Sequence, residues 1–543
     1  MKSEKLFTLH SSLFTITITM ASKGFTKFII VLTTVSAAIM ELVDTSIVNV
    51  ALSQMSGSLG VNIEDIAWVI TSYAIANVII IPMTGFLADY FGRKNYYIAS
   101  MIIFIGASYM CGSSTTLPVL VFWRFVQGIG GGALLSTSQS ILFDAFETKD
   151  RPMAAGLFGM GLILGPTLGP TVGGLIIDKY DWPWIFMINI PIGAIALFLA
   201  YTFVEAKPGE GSRKSEITID YLGILLLAVG IGSLQYVLER GEGDDWFASD
   251  NIKILSLTAV IGLTWFIYRQ LTTAHPVVNL KVMGNRTLAL TTVFTFVVGF
   301  GLFTSVFVYP VMVQRIMGYT PLMTGLSLLG PTALGVVMMP VVGRMMSKGT
   351  SPVPFVVVGF LMFIGFGFVS SGMNPDASPT DFFFALAIRA MGIAMVQLPL
   401  INQAVAGLQP KDYPAGIALN NMIRQLGGSF GIAIANNFIA AKYAQHRTDL
   451  LANMYPGNPV YDSRLSAITQ GIAAKTGDVV TAGAQALRNL SFAVDKQAYL
   501  LSYLDTFRLV SFFFLAVFPL IIFIRIKKQS DPAAAAKAAA ESH

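Results

Sequence analysis

The chain has 543 residues, of which 54% are hydrophobic and only 12% are charged. A soluble protein of this length needs more charge to cover its surface, so the composition predicts a polytopic membrane protein. The net charge of +5 does not indicate nucleic-acid binding, because the basic residues lie mostly in loops beside apolar runs. A single cysteine, Cys111, excludes an internal disulfide and a multi-thiolate metal site.

Apolar runs long enough to cross a bilayer occur fourteen times along the chain. They follow a short lead, residues 1–27, which is expected to lie in the membrane interface unless Met20 is the true start. The predicted spans are about 28–52, 66–87, 96–113, 118–143, 153–177, 184–204, 219–238, 252–271, 288–313, 322–346, 353–371, 381–405, 415–438 and 501–525.

The loops between these spans alternate between cation-rich and cation-poor segments. Cations cluster at 93–94, 149–151, 207–214, 281–286, 344–348, 411 and 525–528. By the positive-inside rule, both termini are therefore predicted to be cytoplasmic. One outer loop, 439–500, is long, and apolar residues at helical spacing predict amphipathic helices in its second half. A loosely ordered loop is the alternative.

A weak internal repeat indicates how the spans are organised. Span 2 ends in P-M-T-G-F-L-A-D-Y-F-G-R-K and span 10 in P-V-V-G-R-M-M-S-K. Equivalent ends at spans 2 and 10 predict two six-helix bundles with spans 7 and 8 inserted between them, a duplication typical of secondary transporters. The predicted organisation is a lead over 1–27, an N-terminal bundle over 28–205, inserted helices over 206–272, a C-terminal bundle over 273–526 that contains the outer loop 439–500, and a cytoplasmic tail over 527–543.

Two acids, Glu41 and Asp44, lie inside the first span. They are three residues apart and so share one face of a helix. A carboxylate at membrane depth costs about 2.5–3.5 kcal/mol on insertion scales, and desolvation and a like charge both favour its protonation. The pair is therefore predicted to bind and release a proton. The alternative is a pair held neutral, or paired to a cation, for packing alone.

Arg124 lies in the apolar fourth span. A buried arginine needs a partner and cannot lose its proton, so Asp44 or Glu41 is the predicted partner. The alternative is a permanent structural ion pair. Two other arginines, Arg389 and Arg424, lie in spans of the second half. Both are predicted to anchor their helices, and the alternative for Arg424 is that it faces the central cavity.

The string G-F-L-A-D-Y-F-G-R-K, residues 85–94, predicts a tight turn between spans 2 and 3. Gly85 and Gly92 permit close backbone approach and unusual dihedrals. Asp89 can pair with Arg93 or cap a helix start, and Lys94 follows. We expect this turn to latch the two halves together in one conformational state, with a plain turn as the alternative.

The fifth span repeats glycine every fourth residue from Gly161, so the glycines line one helix face. Two prolines remove helix hydrogen bonds and permit bending. We expect a bendable contact with a helix of the other half, and the alternative is static packing. The residues of this motif are Gly165, Pro166, Gly169, Pro170 and Gly173, in addition to Gly161.

Polar side chains within the spans are candidates for lining a substrate cavity. Phenylalanine and methionine are abundant and could give such a cavity soft, adaptable walls. The candidates are Asn49, Tyr73, Asn77, Gln127, Gln139, Gln397, Asn402, Asn420, Asn421 and Arg424.

The string at 85–94 is similar to the loop signature of the major facilitator superfamily, and the rest of the chain resembles its fourteen-span drug:proton antiporter branch, of the EmrB type. Three positions depart from the usual pattern, with Val43, Ser53 and Pro183 where leucine, proline and arginine are usual. Glu41 is an additional acid whose role the family pattern does not settle. The strings that resemble the branch are V-D-T-S-I-V-N-V-A-L at 43–52, R-F-V-Q-G-I-G-G-G at 124–132, G-P-T-L-G-P-T-V-G-G at 165–174, W-P-W-I-F-M-I-N-I-P-I-G at 182–193 and N-N-M-I-R-Q-L-G-G-S-F-G at 420–431.

This resemblance implies an all-α major facilitator fold and, through the span 5 motif, export rather than uptake. It implies that Arg124 sets the protonation of the span 1 acid. Together with the long outer loop, it suggests docking onto a periplasmic membrane-fusion adaptor and an outer-membrane channel. No G-x-x-x-x-G-K-[ST] loop is present, so ATP is not expected to drive transport. The expected energy source is a proton gradient, with no cofactor.

The sequence thus predicts a proton-driven antiporter in the bacterial inner membrane that exports amphipathic or hydrophobic small molecules and is not an enzyme. A second possibility is a dedicated exporter of one lipid, siderophore or metabolite. A non-transporting receptor with the same fold is a third, and the span 5 pattern argues against an uptake symporter.

Overall fold

A computed structural model describes residues 23–206, 219–374 and 377–523. Within those ranges the regular structure is helical, apart from turns and short 3-10 segments. The α-helices are α1 (Lys23–Leu59), α2 (Ile63–Ile66), α3 (Trp68–Phe91), α4 (Arg93–Gly112), α5 (Leu117–Ala145), α6 (Arg151–Lys179), α7 (Trp184–Met187), α8 (Asn189–Phe203), α9 (Tyr221–Arg240), α10 (Asp250–Thr272), α11 (Arg286–Met317), α12 (Pro321–Ser347), α13 (Pro352–Ser370), α14 (Pro379–Gln403), α15 (Tyr413–Leu451), α16 (Pro459–Thr476) and α17 (Val479–Val517).

Twelve helical segments of the described chain are long and apolar enough to cross a membrane. Two predicted spans are outside this set, α4, which begins with two cations, and α15, which carries Arg424 and several asparagines. The fourteen-span count and the side on which the termini lie therefore stay predictions. The lead up to residue 22, the basic segment 207–214 and the tail from 524 lie outside the described residues.

The helices pack in an order that occurs twice along the chain. In the first bundle α1 packs against α5, α6 and α8, while α3 and α4 both pack against α5. In the second bundle α11 packs against α14, α15 and α17, while α12 and α13 both pack against α14. The repeated contacts make α1 the counterpart of α11 and α5 the counterpart of α14, in agreement with the internal repeat.

Two helix pairs make the most extensive contacts between the bundles, α6 with α12 and α3 with α15. Glycines allow the close approach at both pairs. A methyl group on Gly343 of α12 would lie 2.7 Å from the carbonyl oxygen of Pro152 on α6, and one on Gly85 of α3 would lie 3.3 Å from the backbone nitrogen of Ala415 on α15. Matching glycines thus bring the last turns of α12 and α3 against the start of a helix in the opposite bundle.

The inserted helices α9 and α10 pair with each other, and α9 also packs against α3 and α15. The side-chain nitrogen of Gln235 on α9 lies 2.6 Å from Oε1 of Glu239 and 2.9 Å from Oγ of Ser429 on α15. Hydrogen bonds therefore connect the insertion to the junction between α3 and α15.

The long loop predicted over 439–500 is mostly helical, so the prediction of helices is confirmed and the loosely ordered alternative is wrong. Helix α15 continues to Leu451, α16 follows, and α17 begins at Val479 and packs against both. Asp495 of α17 accepts hydrogen bonds from Arg447 at 2.8 Å and from Tyr443 at 3.0 Å. Polar contacts thus hold this helical extension together.

Candidate functional site

Asp44 lies in the middle of α1 and is completely buried. Its Oδ2 lies 2.7 Å from Nη1 of Arg124, which projects from α5 and is itself only 1% exposed. Of the two acids that the sequence offers as partners for Arg124, the structure therefore pairs it with Asp44.

Two amide side chains bind the other oxygen of Asp44. Gln127 of α5 donates to Oδ1 at 2.9 Å, and Asn189 of α8 donates to the same oxygen at 2.7 Å. Gln127 also donates to Ser108 of α4 at 2.7 Å. The carboxylate is thus the point at which α1, α4, α5 and α8 are joined by hydrogen bonds.

The guanidinium of Arg124 is held on several sides. Its Nε donates to the carbonyl oxygen of Val69 at 3.1 Å, and Nη1 also donates to Oε1 of Gln127 at 2.7 Å. The aromatic rings of Tyr73 and Phe186 lie 4.2 Å and 5.5 Å from its central carbon. Since the guanidinium stays charged at any physiological pH, only the carboxyl group of the pair can change its charge.

Glu41 lies one turn before Asp44 but in a different environment. It is 6% exposed, and its Oε1 accepts long hydrogen bonds from Tyr73 at 3.4 Å and Asn77 at 3.2 Å, both on α3. Its Oε2 has no hydrogen-bond partner among the described residues. The two acids therefore belong to separate networks.

These contacts define what the site can do. A buried ion pair is stable only while both charges and their hydrogen bonds persist. A proton on Asp44 would remove the negative charge and leave Arg124, Gln127 and Asn189 with fewer acceptors. The arrangement can therefore convert a change of protonation into a rearrangement of the helices that meet at this carboxylate.

The turn at 85–94 is built as predicted in its backbone. Helix α3 ends at Phe91, α4 begins at Arg93, and Gly92 between them has φ 82°, a left-handed value that favours glycine. Arg93 forms an ion pair with Asp144 at the end of α5, and Lys94 donates to the carbonyl oxygen of Tyr201 at 2.8 Å. Through these contacts the turn is tied to α5 and α8 of its own bundle, while Gly85 contacts the other.

The glycine face of α6 contacts a different helix from the one predicted. The expectation of a contact with the other half is wrong for this face, because all four glycines pack against α1 in the same bundle. The opposite side of α6, with Gly156, Gly159 and Gly174, contacts α12 of the other half. The glycines Gly161, Gly165, Gly169 and Gly173 face Ile39, Leu42, Ser46 and Ile47 respectively, and Pro166 and Pro170 lie within the continuous helix.

The predicted cavity residues divide into several groups. Gln397, Asn420, Asn421 and Arg424 line one small cavity together with apolar residues of α6, α11 and α14. Tyr73 and Asn77 instead bond Glu41, and Gln127 bonds Asp44. Outside that cavity lining, Gln139 accepts a hydrogen bond from Asn421 at 3.3 Å, Asn402 bonds its own helix, and Asn49 is exposed.

Several buried polar atoms around this cavity lack hydrogen bonds. Among the described residues, four such atoms have no hydrogen-bond partner: Oε1 and Nε2 of Gln397, Nε of Arg424 and Nε2 of Gln139. Arg424 and Glu41 interact electrostatically across the boundary between the bundles. Unpaired buried polar groups are costly, so this region is suited to receiving polar groups from another molecule.

Three contributors to the site were missed from the sequence: Asn189, Ser108 and Asp144. Asn189 lies within a string that resembles the antiporter branch, and this was the one available signal for it. Ser108 and Asp144 carry no pattern of their own and become functional candidates only through their neighbours. Within the described ranges, the structure contains no cluster of three or more histidine, cysteine or acidic residues that could hold a metal ion.

Known proteins are similar to this chain over most of its length. The profile of the Major Facilitator Superfamily matches residues 34–432. The multidrug export protein EmrB of Escherichia coli K12 is 33% identical over 429 residues, which cover 78% of this chain and 82% of that protein. The fatty acid resistance protein FarB of Neisseria gonorrhoeae is 30% identical over 488 residues, which cover 89% of this chain and 93% of that protein.

Solved structures share the fold at low sequence identity. The human organic anion transporter MFSD10 aligns with a TM-score of 0.57 and 14% identity over 91% of this chain and 99% of that one. The proton:xylose symporter XylE aligns with a TM-score of 0.55 and 14% identity over 93% of this chain and 97% of that one. These alignments support the two-bundle architecture described above.

Proposed function

Because this chain belongs to the major facilitator superfamily, we propose that it is a proton-driven antiporter that exports amphipathic compounds by alternating access. The chain is a multi-pass protein of the bacterial inner membrane, and its relatives include exporters named for multidrug and fatty acid resistance. Proton coupling and the substrate class are the proposed parts.

The buried pair of Asp44 and Arg124 is the observation that supports proton coupling. In the proposed cycle Asp44 is ionised while substrate loads, and it binds a proton from the outer side after substrate leaves. Protonation weakens its contact with Arg124 and changes the relative stability of the two orientations of the bundles. Release of the proton to the cytoplasm then restores the ion pair.

The available energy is sufficient for this cycle. One elementary charge that moves through about 100 mV releases about 2.3 kcal/mol. Since about 1.4 kcal/mol corresponds to a tenfold concentration ratio, one proton per cycle sustains a gradient of roughly fifty-fold for a neutral substrate.

The described cavity supports an amphipathic substrate. It combines amide groups and the guanidinium of Arg424 with the apolar side chains of Leu162, Val298 and Leu400. A second candidate function is the export of one physiological amphiphile, and the name of the relative FarB favours it. A substrate panel that contains cationic dyes, neutral drugs and fatty acids separates a broad exporter from a dedicated one.

Transport by purified protein tests the proposal directly. Wild type, Asp44→Asn and Glu41→Gln are reconstituted into proteoliposomes, and uphill movement of a fluorescent amphiphile is recorded under an imposed pH gradient. Loss of uphill transport in Asp44→Asn supports the proposal. Undiminished uphill transport with both acids neutralised in one protein would overturn it, and the absence of any transport by wild type would favour the receptor alternative.

We extend the proposal to partner proteins. A periplasmic adaptor docks on the helical extension of α15, α16 and α17, and this adaptor connects to an outer-membrane channel. The length of this extension and the hydrogen bonds that Asp495 accepts from Arg447 and Tyr443 support the docking role. A variant in which a short glycine-serine linker replaces 459–476 tests this. We expect full transport in proteoliposomes but lower drug resistance in cells, and full resistance in cells would contradict the docking role.

A further inference from the structure

The second bundle contains a buried arginine at the place that Arg124 occupies in the first. Arg389 lies on α14, the counterpart of α5, and is 5% exposed. Its Nη1 lies 3.3 Å from Oγ of Ser305 on α11, the counterpart of α1. Both bundles therefore direct an arginine of their fourth long helix towards their first.

The surroundings of the two arginines differ in charge. Arg124 has the carboxylate of Asp44, whereas Arg389 meets the neutral hydroxyl of Ser305 and the ring of Phe366, 5.7 Å from its central carbon. In the part of the chain that the structure describes, no carboxylate oxygen lies within 4.0 Å of the Arg389 guanidinium, and its Nε has no hydrogen-bond partner.

The nearest acid along the same helix does not supply the missing charge. Asp381 lies two turns before Arg389. Its carboxylate accepts hydrogen bonds from the backbone nitrogen of Ser378 at 2.7 Å and from the hydroxyl of Ser378 at 2.8 Å. These bonds form the capping box at the start of α14. Asp381 therefore serves the end of its helix.

A guanidinium does not lose its proton, so burial cannot neutralise Arg389 as it can a lysine or a carboxyl group. A buried charge without a counter-charge is strongly unfavourable. We propose that Arg389, with Ser305 beside it, binds a monovalent anion, either an inorganic halide or the carboxylate head of an amphiphile. The anion takes the role in the second bundle that Asp44 has in the first, with Nε as a donor.

Thermal unfolding of the full chain in lipid nanodiscs tests this site independently of transport. Melting temperatures are compared at equal ionic strength in sodium chloride, sodium acetate and sodium gluconate, since gluconate is too large for a site enclosed by helices. We expect chloride or acetate to raise the Tm of wild type by at least about 2 °C over gluconate. Equal values in all three salts would overturn the proposal.

Variants locate the effect. Arg389→Gln should abolish the difference between salts, whereas Arg151→Gln, a change at an arginine that already donates to the carbonyl oxygen of Phe143 and the hydroxyl of Tyr413, should retain it. If Arg389→Gln does not fold, Ser305→Ala and equilibrium binding of radioactive chloride replace it, with weaker binding expected than in wild type. Salt dependence that is retained in Arg389→Gln, or unchanged chloride binding in Ser305→Ala, would contradict the assignment.

The source of the anion is a separate arm of the same experiment. Decanoate, a ten-carbon carboxylate, is titrated beside acetate below its micellar concentration. A half-effective concentration at least tenfold lower for decanoate than for acetate and chloride supports the head group of an amphiphile, and a value for decanoate no lower than that for chloride supports an inorganic anion. Because Asp44→Asn should keep the response to anions, failure of this proposal and failure of proton coupling are distinguishable.

Discussion

Glu41 and Asp44 lie one turn apart on α1 and share no hydrogen-bond partner. Both oxygens of Asp44 are bonded, by Arg124, Gln127 and Asn189, whereas Oε2 of Glu41 is unbonded among the described residues. Of two neighbouring acids in the same span, one is thus fully hydrogen-bonded and the other is not. Substitutions at the two positions should therefore have different effects.

Neutralising each acid should change stability in opposite directions. Asp44→Asn is expected to lower the free energy of unfolding by about 3–5 kcal/mol, because it leaves the buried charge of Arg124 without its counter-charge. Glu41→Gln is expected to be neutral or mildly stabilising, because it removes an incompletely bonded buried carboxylate. Thermal unfolding in the same detergent measures both. A destabilisation of Glu41→Gln equal to that of Asp44→Asn would show that Glu41 has bonds that this structure does not contain.

Proton coupling should depend on Asp44 more than on Glu41. In proteoliposomes, Asp44→Asn should reduce uphill export under a pH gradient at least tenfold while substrate still equilibrates down its own gradient. The reason is that the asparagine has no proton to exchange. Glu41→Gln in parallel reports whether the second acid contributes, and equal losses in both variants would mean that the two acids act together.

Arg124 should show strong energetic coupling to Asp44. Arg124→Gln alone leaves a buried carboxylate without its cation, which typically costs about 3–5 kcal/mol. The double variant Asp44→Asn with Arg124→Gln should lose less than the sum of the single variants, because neither charge is then left unpaired. Unfolding of the four proteins in one double-mutant cycle gives the coupling, and simple additivity would indicate that the pair makes no net interaction.

The glycines between the bundles should rank by the space around them. Alanine at Gly343 places a methyl group 2.7 Å from a backbone oxygen, while alanine at Gly85 meets a nitrogen at 3.3 Å. Gly343→Ala should therefore slow transport at least threefold, with a smaller effect for Gly85→Ala. The matched control is Gly106→Ala on α4, where no neighbouring atom lies within 4 Å and no change is expected. An equal effect at all three positions would rule out contact between the bundles as the cause.

Much of this architecture could be predicted from the sequence, since hydropathy defines which segments are long apolar helices. The pairing of Asp44 with Arg124 was one of two open possibilities, because each residue alone needs a partner. The part that could not be predicted is rotation about each helix axis. Hydropathy is nearly uniform around a membrane helix. The sequence therefore did not indicate that the face of Gly165 and Gly169 contacts α1 and not the other bundle.

Contacts between distant segments set the remaining limit. Asn189 and Ser108 reach Asp44 only because α8 and α4 pack beside α1 and α5, and a single polar residue in a span has no pattern that indicates its direction. Gln127 was predicted as one of several polar candidates for lining a cavity and not as a partner of Asp44. The parts of the site that escaped prediction are thus those supplied by one isolated side chain from one separate helix.

Helix α6 has glycines on two sides, one side against α1 and the other against α12. Glycine contacts bring backbones together and leave no flexible side chains between them to absorb a displacement. A shift of α1 when its acid gains or loses a proton would consequently move α12 by a similar distance. Chemistry in one half would then reach the other by direct mechanical displacement, without any chain of charges linking them.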